Sequence, residues 1–240
     1  MKSLNSFKLK LLGIILMTLD HIYLYIGIIE GINIPIWFGY LGRLAAPIFF
    51  YLMVEGFFKT SDRKRYLGKL LSFSIIMILI DLSFELINNI FLSLALSVML
   101  MMTIEYVKKC RKFSKQYILG IVVAIFIGML SIFTEASIYG LGMTLIFYFF
   151  RDKRRSMAVV YIICSLIPLI EASMLDTNFL EAIFLWRYQW MMVFGIIPIL
   201  LYNGKLGLHN KFTKWMFYVF YPIHLIIIVI IRDLLLISYN

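Results

Sequence analysis

Long apolar stretches alternate with short polar or basic links along the whole chain. A stretch of roughly 20 apolar residues can cross a bilayer as a helix. The pattern therefore predicts an all-α fold, a polytopic transmembrane helical bundle of about nine spans. The predicted spans are 8–29, 37–58, 67–86, 91–107, 117–133, 136–150, 157–174, 188–202 and 215–235. Between the seventh and eighth spans, residues 175–186 are predicted to form an interfacial segment with a short amphipathic helix.

The basic residues of the links predict the orientation of these spans. In a nine-span arrangement, 20 of the 23 lysines and arginines fall in the N-terminal arm or in links on the same side. Loops rich in Lys and Arg stay on the cytosolic side of a membrane. We therefore expect a multi-pass protein of the cell (cytoplasmic) membrane with a cytosolic N-terminus and an extracytoplasmic C-terminus. No polar stretch is long enough to fold alone, so residues 1–240 are predicted to form a single domain.

Composition narrows the class of protein further. The chain is 62% hydrophobic and 15% charged, whereas soluble domains are about 45–50% apolar and about 25% charged. The net charge of +10 follows from the basic links, so we expect no nucleic acid partner. Cys110, in a link predicted to be cytosolic, and Cys164 are too few for a disulfide framework. We expect no metal, and no Walker, HExxH or GxGxxG pattern is present.

An acid and an imidazole, Asp20 and His21, lie inside the first predicted span. A charged residue at such a depth costs about 2.5–3.5 kcal/mol on insertion scales. Asp20 and His21 have three possible roles at this depth: catalysis, proton transfer, or a structural ion pair. Arg43 enters from the outer end of the second span, and its long side chain can reach toward Asp20. The imidazole of His21 can exchange a proton near neutral pH, which suits a general base.

The last predicted span carries a second imidazole in the run FYVFYPIHL. Tyr218, Tyr221 and His224 recur at intervals of three residues and therefore share one broad helix face. Pro222 removes a backbone donor and frees a carbonyl beside them. A polar face in the middle of a membrane helix indicates either a cavity or a hydrogen-bonded interface between helices.

Four segments of the chain resemble the TraX family. They are LKLLGIILMTLDHI, GYLGRLAAPIFFYLMVEGFFKTSDRKRYLGKLL, TEASIYGLGMTLIFYFF and YNGKLGLHNKFTKWMFYVFYPIHLIII. The Asp-His pair, the GR-x-A-x-P…EGF run and the final FYxFYPxHL are the most specific parts. Members of this family are integral membrane acyltransferases, and the best-known kind acetylates the N-terminus of conjugative pilin. The resemblance nominates the site residues Asp20, His21, Arg43, Glu55, Glu135, Tyr139, Tyr221 and His224.

The resemblance implies transfer of an acetyl or other acyl group from cytosolic acetyl-CoA (acyl-CoA) to an extracytoplasmic amine or hydroxyl. His21 is then a general base or a covalent acyl carrier, with Asp20, His224 and Arg43 as the other catalytic residues. Arg43, a tyrosine hydroxyl or the second imidazole stabilises the oxyanion. The residues expected to bind substrate are Glu55, Glu135, Tyr139, Tyr218 and Tyr221, and those expected to bind the donor phosphates are Lys211 and Lys214.

The acceptor stays open at the level of sequence. A pilin-like peptide and a cell-surface polymer are both compatible with the residues, and membrane lipid surrounds the protein in either case. Two other classes of function also stay open. One is a proton-coupled transporter that uses Asp20, His21 and His224 as a relay, although paired repeats typical of transporters are absent. The other is a non-catalytic assembly protein whose polar residues only hold its helices together.

Overall fold

The computed structural model describes residues 3–86, 88–208 and 210–239, and only the backbone of Lys211 and Tyr239. The α-helices in these ranges, in chain order, are α1 (Ser6–Ile26), α2 (Trp37–Gly42), α3 (Ala45–Lys59), α4 (Arg63–Phe84), α5 (Ile90–Lys109), α6 (Lys115–Ile132), α7 (Ser137–Phe149), α8 (Arg154–Ser165), α9 (Ile167–Leu175), α10 (Phe179–Glu181), α11 (Ile196–Leu200) and α12 (Lys211–Tyr239). A π-helix (Ala182–Trp186) and a 3₁₀-helix (Tyr188–Gly195) lie between α10 and α11. The described chain is therefore helical, as predicted.

Polar residues in the links start several of the long helices. A side-chain oxygen accepts a hydrogen bond from a free backbone N–H in the first turn, which stabilises a helix start by about 1 kcal/mol. Asn5 caps α1, Asp62 caps α4, Asn89 caps α5 and Ser114 caps α6 in this way. Helix boundaries thus coincide with the polar links between the apolar stretches.

Seven helical segments among the described residues are long and apolar enough to cross a membrane, or eight if one bent pair counts as a single span. A ninth apolar helix, α7, has only 13 residues. Every predicted span overlaps helical structure, but the number that crosses the membrane and the side of each terminus stay predictions. The bent pair joins Phe179–Trp186 to Tyr188–Leu200 at 63°. The predicted interfacial segment and the predicted eighth span therefore form one broken segment.

Two compact units make up the chain, the first from Met1–Phe49 with Asp152–Asn240 and the second from Phe50–Arg151. One boundary falls inside α3, and the other falls between α7 and α8. A single domain over residues 1–240 remains a prediction from the sequence.

In the first unit, α1 and α12 pack side by side and run in the same direction. Near their starts, the rings of Phe7 and Phe217 lie 6.2 Å apart. Near the end of α1, the guanidinium of Arg232 lies 6.0 Å from the ring of Tyr25. The N-terminal segment also pairs with the link before α12, because Leu4 and Tyr202 form an isolated parallel β-bridge. Both ends of the chain are thereby held in this unit.

The short helix α2 packs closely against α1 in the same unit. Gly42 makes this approach possible, since a Cβ at this position would collide with the carboxylate of Asp20. Gly39 faces the rings of Tyr23 and Tyr188, which a Cβ would contact at 3.0 Å. Two glycines on α2 therefore bring α1, α2 and the 3₁₀-helix together.

In the second unit, α5 packs against α4, α6 and α7. Small hydroxyl side chains link these helices inside the unit. Ser93 donates to Thr134 at 2.8 Å, and Thr144 donates to Ser97 at 2.9 Å. Such contacts between small polar residues are typical of helices that associate within a membrane.

Many large apolar side chains stay exposed on the outside of the helices. On α4, Ile75 and Leu79 are each 60% exposed and Leu82 is 76% exposed. A surface of this kind is unfavourable in water and suits the apolar interior of a bilayer. Together with the long apolar helices, it identifies a membrane protein.

Candidate active site

Two imidazoles meet between α1 and α12, inside the first unit. Nδ1 of His21 lies 2.7 Å from Nε2 of His224. The two rings are within 19° of parallel, with centroids 5.0 Å apart. Relative exposure is 4% for His21 and 5% for His224. The parallel packing of the first and last helices thus creates a buried histidine pair.

Hydrogen bonding assigns a proton to one nitrogen of each ring. Nδ1 of His224 lies 2.9 Å from the carbonyl oxygen of Phe220, and because a carbonyl only accepts, this nitrogen carries a proton. In the neutral ring, Nε2 of His224 is then an acceptor, so Nδ1–H of His21 donates to it. Nε2 of His21 is therefore the basic nitrogen of the neutral pair.

Aromatic rings surround the two imidazoles. The ring of Tyr221 stands edge-on to His21 at 5.9 Å and to His224 at 5.5 Å. Phe220 stacks on His224 with a centroid distance of 4.9 Å, and Tyr25 lies 6.3 Å from His21. This packing restricts the rotamers of both histidines.

The neighbouring residue on α1, Asp20, forms an ion pair with Arg43. The guanidinium donates to the carboxylate at 2.5 Å, and both side chains are partly buried, with exposures of 19% for Asp20 and 27% for Arg43. Arg43 also donates to the side-chain oxygen of Gln189 at 3.2 Å. Its Nε is buried and has no hydrogen-bond partner among the described residues. Two groups therefore hold the arginine in place, while its buried Nε–H has no acceptor among the described residues.

The broken segment supplies more of this environment. The guanidinium carbon of Arg43 lies 5.5 Å from the ring of Tyr188. Tyr40 on α2 donates to the carbonyl of Phe184 in the π-helix at 2.5 Å. Single π-helical turns are rare and occur frequently at functional sites. The irregular backbone at Ala182–Gly195 therefore places Tyr188 and Gln189 against α2.

Arg43 reaches Asp20, as the sequence predicted, and His21 and His224 lie in direct contact. Tyr218, one turn before Tyr221, is partly buried. Sequence reasoning missed Gln189, although the polar run Arg187-Tyr188-Gln189 interrupts the apolar pattern there.

Three residues expected to bind substrate belong to the second unit. Glu55 forms ion pairs with Lys59 at 3.1 Å and with Arg151 at 3.0 Å. Glu135 and Tyr139 lie at α7 and the turn before it, and both have interaction partners. Their roles in substrate binding stay predictions.

The two lysines expected to bind the donor lie at the start of α12. Lys214 is exposed, and its backbone N–H bonds to the carbonyl of Asn210 at 3.1 Å. The side chain of Lys211 lies outside the described residues. Donor binding by either lysine stays a prediction.

The arrangement fits proton transfer at an enclosed position. A neutral imidazole with its basic nitrogen defined by a hydrogen bond is suited to act as a general base. The guanidinium of Arg43, which pairs with Asp20 beside His21 in the sequence, adds a fixed positive charge to this environment.

Comparison with known proteins gives two matches. The family model described as TraX protein matches residues 6–232. The chain is also similar to the "Probable fimbrial assembly protein FimC, serogroup H1" of Dichelobacter nodosus, with 27% identity over 239 residues. That alignment covers 92% of this chain and 93% of the relative. No solved structure matches the chain.

Proposed function

Because this chain belongs to the TraX family, we propose that it is an integral membrane acyltransferase. It takes an acetyl or similar acyl group from cytosolic acyl-CoA and transfers it to an amine or hydroxyl of an extracytoplasmic protein or polymer. The observation that carries this proposal is the buried, hydrogen-bonded pair of His21 and His224.

In the proposed reaction, His21 is the general base. Its Nε2 takes the proton of the acceptor amine or hydroxyl while the acceptor attacks the thioester carbonyl. When the tetrahedral intermediate collapses, the carbon–sulfur bond breaks and the departing thiolate takes the proton from His21. Nδ1–H of His21 stays bonded to His224, so the charge of the transient imidazolium is shared with a second ring.

Arg43 is proposed to stabilise the oxyanion. Its ion pair with Asp20 and its bond to Gln189 fix the guanidinium before substrate arrives, and preorganised charge needs no reorganisation during the reaction. A second route makes Nε2 of His21 the nucleophile: it attacks the thioester, the carbon–sulfur bond breaks, and the thiolate leaves an acyl-imidazole. The acceptor then attacks the acyl carbon, the bond to Nε2 breaks, and the proton of the acceptor passes to the thiolate.

A non-catalytic role in assembly is the second candidate function, and the name of the fimbrial relative favours it. The same name supports a pilin-like subunit as the acceptor of an acyltransferase. The two functions differ in one property, because only the enzyme consumes an acyl donor.

A cell-based comparison tests the proposal. Intact masses of surface proteins and polymers are compared between wild-type cells, a deletion strain, and the deletion complemented with His21→Ala or His209→Ala. We expect an acyl group that is lost on deletion and restored by the wild-type gene. His21→Ala should lower the rate of acylation by about 10²–10⁴-fold, the usual contribution of a general base.

His209→Ala is the matched control, since His209 is the one of the three histidines that is not part of the buried pair; it lies outside the described residues. It should acylate at the wild-type rate. Identical masses in wild-type and deletion cells would reject the acyltransferase and leave the assembly role. Full acylation by His21→Ala, at wild-type protein level, would remove His21 from the mechanism.

A further inference from the structure

The side chain of Lys10 lies between α1 and α12, the two helices that carry the histidines. It lies on α1 and is partly buried. Its Nζ is 5.0 Å from the ring centroid of Phe217 on α12, and Phe7 stands edge-on to the same ring. The side chain therefore points toward α12, as the side chain of His21 does about three helical turns further along α1.

The charge of Lys10 is not balanced within the described part of the protein. Six other cations there pair with a carboxylate, namely Arg43, Lys59, Lys108, Arg151, Arg187 and Arg232. Lys10 forms no such pair with any residue that the structure describes, and its ammonium faces the ring of Phe217. A cation–π contact contributes about 0.5–2 kcal/mol, whereas removing an ammonium from water without a counter-charge costs more. This position therefore suits an anionic ligand.

The helical register aligns Lys10 with the histidine pair. The eleven residues from Lys10 to His21 span about 16 Å and turn through three full circles plus about 20°. The two side chains thus share one face of α1, and both contact α12. Lys10 lies toward the helix start and His21 lies deeper.

The surroundings at the start of α1 are also positive. Both α1 and α12 begin at this end, so the positive ends of two helix dipoles lie together. The link before α12 is held here as well, because Ser6 N–H donates to the carbonyl of Lys205 at 2.8 Å. Lys214 is exposed nearby on the first turn of α12.

We infer that Lys10 binds a phosphate of the acyl donor, an inference that rests on the proposed function. When the pantetheine arm of an acyl-CoA is extended, the distance from the thioester to the nearest phosphate is comparable to the distance from Lys10 to His21. A phosphate held at Lys10 therefore leaves the thioester at the level of the histidines. Lys10 then joins Lys211 and Lys214 in binding the donor, with the difference that its ammonium shares a face with the proposed base.

Donors with and without phosphate groups test this role. Initial rates of acyl transfer are measured with acetyl-CoA and with S-acetyl-pantetheine, using membranes of the deletion strain as the source of acceptor. For Lys10→Gln we expect the KM for acetyl-CoA to rise about ten-fold or more, the size of one charge-assisted hydrogen bond, with kcat nearly unchanged. Rates with S-acetyl-pantetheine should not change, because this donor has no phosphate.

Two further variants separate recognition of phosphate from a structural role. Lys8→Gln removes an exposed charge two residues away and should leave both KM values as in the wild type. Lys10→Arg keeps the charge and should restore the KM for acetyl-CoA. If Lys10→Gln impairs both donors equally, the residue supports the fold and the inference is wrong.

Phospholipid headgroups are the other source of phosphate. Binding of adenosine 3′-phosphate 5′-diphosphate, the part of CoA that includes the phosphate nearest the pantetheine arm, is measured by calorimetry in lipid-free detergent and in phosphatidylglycerol nanodiscs. We expect wild type to bind this nucleotide in both media and Lys10→Gln to bind it weakly in both. Equal binding by the two proteins would show that Lys10 does not bind the phosphates of the donor, and the inference would be wrong. No acyl transfer by the wild type defeats the proposed function, whereas normal transfer with an unchanged KM in Lys10→Gln defeats this inference alone.

Discussion

The carbonyl oxygen of Phe220 determines which nitrogen of His21 can act as the base. It fixes the proton on Nδ1 of His224, which makes Nε2 of that ring the acceptor for His21. A histidine that works as a base often has its other nitrogen held by a hydrogen bond that sets the tautomer. In this protein a second imidazole fills that position, so in the proposed reaction His224 positions His21.

Replacement of His224 by two different amides tests this role. The amide of His224→Gln reaches approximately the position of Nε2 and can still accept from His21. The shorter amide of His224→Asn reaches approximately the position of Nδ1 and cannot. We expect acyl transfer to fall about 10-fold for Gln and about 100-fold or more for Asn, within the range of losses for residues that orient a catalytic group.

The dependence of the rate on pH supplies a second readout for these variants. Loss of the imidazole partner should shift the pH at which activity appears, since the tautomer of His21 is no longer fixed. Equal activity of both variants and wild type, with an unchanged pH profile, would show that His224 only fills space.

At the residue scale, the sequence predicted which predicted membrane helices carry ionisable residues and which faces of those helices they occupy. The ion pair of Asp20 and Arg43 could be expected, because a long cationic side chain enters the membrane beside an acid. The bond from Arg43 to Gln189 could not, because nothing in the apolar pattern shows that the eighth predicted span approaches α2. The contact of Lys10 with Phe217 on α12 could not be predicted either, since a lysine near the start of a first span is ordinarily an orientation signal.

At the scale of helices, Gly42 controls how closely α2 approaches α1. The carboxylate of Asp20 occupies the space that any Cβ at position 42 would need. The same carboxylate holds Arg43, the residue next to Gly42. A larger side chain at position 42 therefore affects the packing of two helices and the placement of the arginine together.

Gly42→Ala should lower both thermal stability and activity. An overpacked position costs about 1–3 kcal/mol, and the displaced carboxylate can no longer hold Arg43 at 2.5 Å. We expect a lower midpoint of thermal unfolding in detergent and a loss of acyl transfer of at least about 10-fold, as for other residues that orient a catalytic group.

Gly68→Ala in α4 is the control, because a Cβ at that position meets no atom within 4 Å. Alanine is favoured over glycine in a helix by about 0.5–1 kcal/mol, so this variant should be as stable as wild type or slightly more. Equal stability of Gly42→Ala and Gly68→Ala would contradict the close packing of α2 on α1.

The break at Ala182–Gly195 shows a limit of prediction at the same scale. Its residues read as an interfacial segment followed by an apolar span, because periodicity reports which residues are apolar and not how the backbone hydrogen bonds are made. The π-helical and 3₁₀ turns depend on partners distant in sequence, such as the bond from Tyr40 to the carbonyl of Phe184. Only tertiary structure brings these residues together.

At the scale of the whole molecule, the parallel packing of α1 and α12 restricts the topology. Both helices start at the same end of the first unit. If both cross the membrane, the two ends of the chain lie on opposite faces, which requires an odd number of crossings. The packing therefore favours seven or nine crossings over eight, and nine is the number predicted from the sequence.

Cysteine labelling tests both the orientation and this parity. Cys110 follows α5 in a basic link, and Ser238 is exposed near the end of α12. A Cys164→Ser protein that keeps Cys110 should react with a membrane-impermeant maleimide only after the membrane is opened. A Cys110→Ser, Cys164→Ser, Ser238→Cys protein should react in intact cells or spheroplasts.

Protection of both cysteines until the membrane is opened would place them on one side and rule out an odd number of crossings with a cytosolic N-terminus. Reaction of Cys110 in intact cells would reverse the predicted orientation. The charge pattern predicts orientation from sequence because it acts during insertion, one link at a time. The division into two units depends instead on contacts between distant helices, which apolar patterns do not encode.

The separation of the two imidazoles also has a consequence for the order of events during synthesis. His21 and His224 are 203 residues apart, so at about 5–20 residues per second the ribosome needs roughly 10 to 40 s between them. The first helix is therefore made, with its imidazole, well before His224 on the last helix exists. A chain that stops early never completes the pair, and we expect activity to arise only when translation has reached the final helix.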